Sequence, residues 1–473
     1  MHKRMLIAGA TALAGLAVPP AWGASDADLE AIRAQIQGLK QDYDSRIKAL
    51  EERLKAAEVE AAQAKAAASK AETLSPALPQ GGGGNSPPAV AQASSATRGL
   101  AAFNPAISAI LNGQYANLSR DPDRWRMAGF LQGGDTGPGR RGFSLGESEL
   151  GFSANVDPLF SGNLIFSITP EDTVSVEEAY GIYKKAPAGI VPKFGRFFSG
   201  LGYLNEQHNH VWDFTDAPLV YQALLGGQYQ TNGMQLTWVA PIDQFLELGA
   251  EIGNSDSYPG NDRNRNGAGS GVLFARVGGD VGDSNSWQAG VSYLHSGARS
   301  RESAVADLFG NDATASFTGH SDLWNANFVW KWAPHGDPHY RNFKLQGEYM
   351  WRKEDGDLAY FSPSIALASE ASYSSRQSGA YLQAIYQFMP LWRVGLRYDW
   401  LDAGSVDYGA NSAFLADPSF HPRRATAMID WTPSEFSRVR VQFGQAKLAP
   451  NFTDNELFVQ YILSLGAHGA HIF

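Results

Sequence analysis

The 473-residue chain contains no cysteine, which excludes a disulfide-stapled secreted domain and any chemistry that depends on a thiol. Long apolar runs are missing as well. Apart from the first residues, no segment approaches the roughly 20 apolar residues that a spanning helix needs. Cations are outnumbered, 38 Lys and Arg against 48 Asp and Glu, for a net charge of −10. Nucleic acid is therefore not an expected partner. The chain has no P-loop and no HExxH, so an enzyme is not expected, and no cofactor is expected.

Glycine and aromatic residues are abundant: 50 Gly, 12 Trp, 18 Tyr and 25 Phe. That balance suits strands, tight turns and interfacial aromatic girdles. The closing segment carries the sharpest signal. Leu457, Val459, Tyr461, Leu463 and Leu465 form an apolar row at every second position, in phase with the terminal Phe473. A lipid-facing row alternating with a polar one needs a hydrocarbon exterior and a wet interior, the environment of a transmembrane β-barrel. Phe473 is the expected assembly signal, with the barrel-assembly machinery as its partner.

Four regions are expected. Residues 1–23 carry a basic start (His2, Lys3, Arg4), an apolar run over 5–18 and small residues at Ala21 and Gly23, the pattern of a cleaved secretory signal. Loss of Lys3 and Arg4 takes the charge from −10 to −12. Residues 24–74 read as a coiled coil, with Leu29, Ile32, Ile36, Leu39 and Tyr43, then Ile47, Leu50, Leu54 and Ala57 along one seam. The step of four between Tyr43 and Ile47 is a stutter. A coil implies partner chains and could touch peptidoglycan; a lone solvated helix or spacer is the alternative. Residues 75–99, SPALPQGGGGNSPPAVAQASSATRG, have the composition of a flexible tether. Residues 100–473 form the barrel domain.

In that domain, amphipathic segments of about ten residues recur between turn-rich breaks, giving about sixteen antiparallel strands. They are expected at 106–118, 143–156, 162–170, 174–186, 191–199, 227–240, 244–254, 271–281, 286–297, 319–333, 342–354, 376–389, 392–402, 422–432, 436–448 and 455–473. Short turns such as PID at 241–243, GDSN at 282–285 and MPLW at 389–392 alternate with long polar loops. Short turns belong to the periplasmic rim, so an even strand count puts both termini, and the coil, in the periplasm. The localisation expected is the bacterial outer membrane.

One connection stands out. GLGYLNEQHNHVWDFTDAPLVYQALLGG at 200–227 carries Trp212, Phe214 and Tyr221, side chains poorly suited to lie exposed. Folding into the lumen would bury them and narrow a pore; packing over the rim or against another subunit is the alternative. The expected constriction residues are Glu206, His208, His210, Asp213 and Asp216. Alternation sends Glu147, Glu149, Glu247 and Glu251 inward from early strands, and Arg393, Arg397, Arg424, Arg438 and Arg440 inward from late ones. Opposed acidic and basic walls would give a transverse field that favours polar solutes. His208 and His210, with Glu206 and Asp213 on the same loop, offer donors that zinc accepts. His335 with His339, and His468 with His471, are further pairs, for which turn capping or solvation at the periplasmic end is the simpler reading.

The segments GFSLGESELGFSANVDPLFSG and VEEAYGIYKKAPAGIVPKFGRFFSGLG resemble the phosphate-selective porin family. The resemblance implies a loop folded into the pore after the KFGRF strand, and trimers. Members selective for phosphate line the constriction with Arg and Lys, whereas Glu206, Asp213 and Asp216 stand here, so that specificity does not carry over. NEQHNHVWDFTDAPL and QYILSLGAHGAHIF are similar to proteins labelled zinc-regulated TonB-dependent outer-membrane receptors. An energised receptor of that kind needs a plug and about 22 strands, and neither is legible. The function expected is a passive porin for small hydrophilic or ionic solutes; the alternatives are a zinc-related uptake protein and an envelope-anchoring barrel.

Overall fold

The computed structural model describes residues 105–466, apart from 135, 171–172, 262–265, 364–366 and 416–419. The expected signal, coil and tether, together with His468, His471 and Phe473, lie outside the described residues.

The chain forms strands β1 (Ala106–Leu118), β2 (Gly142–Leu145), β3 (Ser148–Asn155), β4 (Phe160–Ile168), β5 (Val174–Tyr183), β6 (Ile190–Phe198), β7 (Gln230–Val239), β8 (Phe245–Gly253) and β9 (Ser270–Val281). Then come β10 (Asn285–Ala306), β11 (Asp312–Trp332), β12 (Asn342–Ser362), β13 (Leu367–Met389), β14 (Trp392–Asp407), β15 (Arg423–Ser434), β16 (Ser437–Ala449) and β17 (Phe452–Gly466). Neighbours pair antiparallel, and β17 returns to β1 with Ser108 opposite Gly466 and Leu118 opposite Glu456. Because β2 and β3 both lie against β1, they are two halves of one stave. The wall is a closed antiparallel barrel of sixteen staves, as the alternation predicts. The break within the second stave falls at Gly146, where an added Cβ would run into the Asn112 side chain.

Inside and outside are inverted relative to a soluble barrel. Leu396 and Leu382 are 66% and 57% exposed on the outer face, whereas Arg352 and Arg440 are buried within. On β12, Phe343, Leu345, Tyr349 and Trp351 point outward, while Gln346, Glu348 and Arg352 point in. That inversion is stable only with lipid outside, and no helix among the described residues is long and apolar enough to cross a membrane.

The wall is uneven in height. Staves β4 to β8 have 9 or 10 residues, just enough to span a bilayer at a tilt, whereas β10 to β13 have 21 to 23. Those long staves, and β14, exceed the expected lengths at their outer ends. The reason is a change of sign in the alternation: beyond Trp351 the outward row turns polar (Lys353, Asp355, Asp357) and the inward row turns apolar (Leu358, Tyr360). There the outer face meets water, and Phe317, Leu358, Tyr360, Tyr373 and Tyr408 pack into a small core on the inner face.

Candidate functional site

The connection between β6 and β7 lies inside the barrel, bonded to inward-facing side chains of most staves. Its first leg, residues 199–205, is held by two buried glutamates. Ser199 Oγ and the Gly200 N–H donate to Glu251 at 2.6 and 2.8 Å. Glu348 on β12 receives the N–H groups of Tyr203 (3.1 Å) and Leu204 (3.0 Å), the hydroxyls of Tyr221 (2.9 Å) and Tyr381 (2.8 Å), and Asn325 Nδ2 (2.8 Å). The loop can come this close because position 202 is glycine: its φ is +76°, and a Cβ there would lie 2.8 Å from the Tyr221 hydroxyl.

The second leg ends in the helix α1 (Leu219–Leu225), all seven residues of which are buried. The Leu219 N–H donates to Asp399 Oδ1 at 2.9 Å, and Gly226 closes the helix in the left-handed region. Leu219, Val220, Leu224 and Trp212 share an apolar cluster with Met350, Leu401 and Phe274 of the wall, and with Trp125, Met127 and Phe130 from the connection after β1. Apolar burial of this extent fixes the legs.

Between the legs, residues 206–209, 211 and 215–216 are only partly buried. Glu206 pairs with Arg276 Nη2 at 2.5 Å, and Arg276 also holds Glu247 at 3.0 Å. His208 Nδ1 lies 3.2 Å from Glu177 Oε2 and 3.3 Å from Glu149 Oε2, while its Nε2 lies 3.1 Å from Glu178 Oε2. His210 Nδ1 is 2.7 Å from Glu149 Oε1, and Asn209 donates to Glu147. Burial works against a charged His208, but the carboxylates of Glu149, Glu177 and Glu178 outweigh it and raise the imidazole well above its usual value.

On the opposite flank, Asp213 meets Lys344, Arg393 Nη1 (3.3 Å) and Gln383 Nε2 (3.0 Å). Asp216 meets Arg424, Arg397 Nη2 (2.9 Å) and Gln442 Nε2 (2.8 Å). Burial would raise both carboxyls, yet Lys344 and Arg393 at Asp213, and Arg424 and Arg397 at Asp216, hold them below the usual carboxylate range. Backbone carbonyls of the loop are bound too: Arg440 donates to Trp212 O at 2.7 Å, and Arg438 to the carbonyls of His210 (3.3 Å) and Trp212 (3.2 Å).

Two expectations need correction. Asp213 and Glu206 do not stand with the histidines, because each is drawn to cations of a different stave; the acid beside His208 and His210 is Glu149. Nor do Arg393, Arg397, Arg424, Arg438 and Arg440 form a free basic wall opposite Glu147, Glu149, Glu247 and Glu251. Nearly all of these inward charges bind the loop or a neighbouring stave, so the two rows serve as its anchors. His339 pairs with Asp337 at the exposed turn between β11 and β12, and His335 occupies a positive-φ turn position there.

Glu177 and Glu178 were not legible by alternation, which sends only one of two adjacent residues inward. A β-bulge supplies the second: Ile165 pairs with Glu178 and Phe166 with Val176, leaving Glu177 unpaired, and both glutamates are buried. Arg276 was open to alternation, as the cation of the inward row Val272, Phe274, Arg276.

No protein-family model matches the chain. Among solved structures, a loop-deletion form of OmpT, an outer membrane protein of Vibrio cholerae, is 11% identical with a TM-score of 0.48, covering 76% of this chain and 99% of its own. The outer membrane channel DcaP of Acinetobacter baumannii is 14% identical with a TM-score of 0.44, covering 76% and 97%. The anion-selective porin from Comamonas acidovorans is 12% identical with a TM-score of 0.44, covering 76% and 99%. An uncharacterized protein of Aquifex aeolicus is 30% identical over 352 residues, which make up 71% of each chain. By that extent and identity, the chain belongs to the family of this Aquifex protein.

Proposed function

We propose that the protein is a passive outer-membrane porin for small hydrophilic or ionic solutes, in which the loop at 200–227 sets the width of the passage. One observation carries the reading. The loop has two buried legs, but its middle stretch keeps partial exposure beside charged groups that are themselves partly exposed, namely Glu206, Glu247, Arg276, Lys344 and Arg393. Charge with water contact inside a closed barrel is what a hydrated solute requires, and it is costly to maintain unless water occupies the space. Solutes would then pass along the tip, residues 206–216. The low wall of β4 to β8, with Phe194 43% and Leu236 44% exposed on its outside, is the face we assign to subunit contacts in a trimer.

Purified protein in planar bilayers should open channels without an energy source, and deletion of 205–216 should enlarge them. Silent bilayers would refute the porin and favour the second reading, an anchoring barrel closed by its loop. That reading draws on the complete burial of α1 against the wall.

A further inference from the structure

We propose that Glu149, His208 and His210 bind one divalent metal ion of the zinc class, with Glu177 as the fourth donor, so that the ion ties the loop tip to staves β3 and β5. The ligand atoms of the first three lie within 4.8 Å of one another. A tetrahedral ion with bonds of about 2.0–2.1 Å places its donors about 3.3 Å apart. His208 Nδ1 stands 3.3 Å from Glu149 Oε2 and 3.2 Å from Glu177 Oε2. The 2.7 Å contact between His210 Nδ1 and Glu149 Oε1 lengthens by a few tenths of an ångström on binding.

Three further features favour a metal over a fortuitous cluster. Glu178 lies 3.1 Å from His208 Nε2, where it accepts that N–H and turns the Nδ1 lone pair toward the ion; a carboxylate behind a ligating imidazole is the usual arrangement in zinc sites. Next, three buried carboxylates, Glu149, Glu177 and Glu178, share a corner with His208, and one divalent ion supplies at a single centre the positive charge that would otherwise take two protons. Lastly, two imidazole nitrogens select zinc-like ions over calcium or magnesium, which prefer all-oxygen shells. The nearest other acids of the loop are already committed, Glu206 to Arg276 and Asp213 to Lys344 and Arg393. His208 remains partly exposed, which leaves the ion a route of exchange with lumenal water. The site does not depend on the porin reading, since it would form equally in a closed barrel.

The test is zinc stoichiometry on the full chain, folded in detergent, stripped with a chelator and equilibrated with zinc chloride. One zinc per chain is expected, lost in the His208→Ala/His210→Ala double variant and weakened about 10- to 100-fold in Glu178→Gln. Asp322→Asn, whose partners Tyr293 and His295 lie on β10, should bind as the parent does. Heat-modifiable gel mobility checks that each variant is folded. Should the double variant fail to fold, cobalt(II) bound to the parent must give the visible absorption of a four-coordinate nitrogen–oxygen site. Absence of bound zinc, full retention in a folded double variant, or a six-coordinate cobalt spectrum would overturn the proposal. Because conductance is not the readout, its failure is separate from that of the porin reading.

Discussion

Replacing Glu348 by alanine is expected to undock the loop at 200–227 while leaving the barrel intact. The carboxylate receives five donors: two backbone N–H groups of the first leg, the hydroxyls of Tyr221 and Tyr381, and Asn325 Nδ2. Each buried donor left without a partner costs about 1–3 kcal/mol. Water entering the vacated space restores part of this, so about 1 kcal/mol per donor is the fitting figure, and the terms overlap. A loss of about 3–5 kcal/mol in docking free energy follows, in line with other broken buried charge networks. Glu348→Gln keeps one acceptor oxygen and should lose about half as much.

Limited proteolysis reads docking directly, because the 200–227 segment is cut only when it leaves the lumen. Cleavage there should accelerate strongly in Glu348→Ala, and single-channel conductance should rise or become noisy. The urea midpoint of the barrel should move little, since the backbone ladders of β12 with β11 and β13 do not involve the side chain. A protease-resistant loop with parental conductance would mean that α1 and the Asp213 and Asp216 pairs hold it alone, and the reasoning from Glu348 would be wrong.

Gly202→Ala should act in the same direction: the left-handed backbone costs a non-glycine residue about 1–2 kcal/mol, and the new Cβ would crowd Glu348 and the Tyr221 hydroxyl; proteolysis again gives the measure. Asp213→Asn removes the acid that Lys344 and Arg393 share, Arg393 keeping only Asp430, so reversal potentials in a salt gradient should shift toward anions. A unit charge at contact distance in water is worth on the order of 1 kcal/mol, about fivefold in permeability ratio, and an unchanged potential would place the current elsewhere. The pairs of Asp213 and Asp216, whose folded values are depressed, contribute fully above the unfolded aspartate value of about 3.9 and are lost only as pH falls through the lower folded values. The hold of these two pairs on the loop should therefore stay constant from neutral pH to about 4 and weaken only in stronger acid, read as proteolysis within 200–227; loosening between pH 5 and 7 would point to a different group.

The sixteen staves were legible because lipid and lumen impose opposite demands on alternate residues, and the lumen loop because Trp212, Phe214 and Tyr221 needed burial that a barrel interior supplies. Partner choice within the lumen was not legible. His208, Asp213 and Asp216 are close in sequence, yet they reach β5, β12 and β15, a distribution set by the path of the loop across the interior. The bulge that turns both Glu177 and Glu178 inward breaks the very periodicity on which facing is inferred. The long outer ends of β10 to β14 were missed for a related reason: once the outer face leaves lipid, its polar row moves to the other side, and the pattern fades at the crossover.

The loop's anchors differ in kind along its length, and that difference separates what can vary from what cannot. The legs rest on apolar burial of α1 and on Glu251 and Glu348, groups whose removal leaves several partners unsatisfied at once. The middle rests on single acids, each facing one or two cations, and on imidazoles facing glutamates. In the proposed porin, a charge exchanged in the middle would alter the field felt by a passing solute, and the legs would still hold the chain. On the porin reading proposed above, selectivity would be retuned at 206–216 without altering the barrel, whereas substitutions at Gly202, Glu348 or α1 would change whether the loop narrows the passage at all.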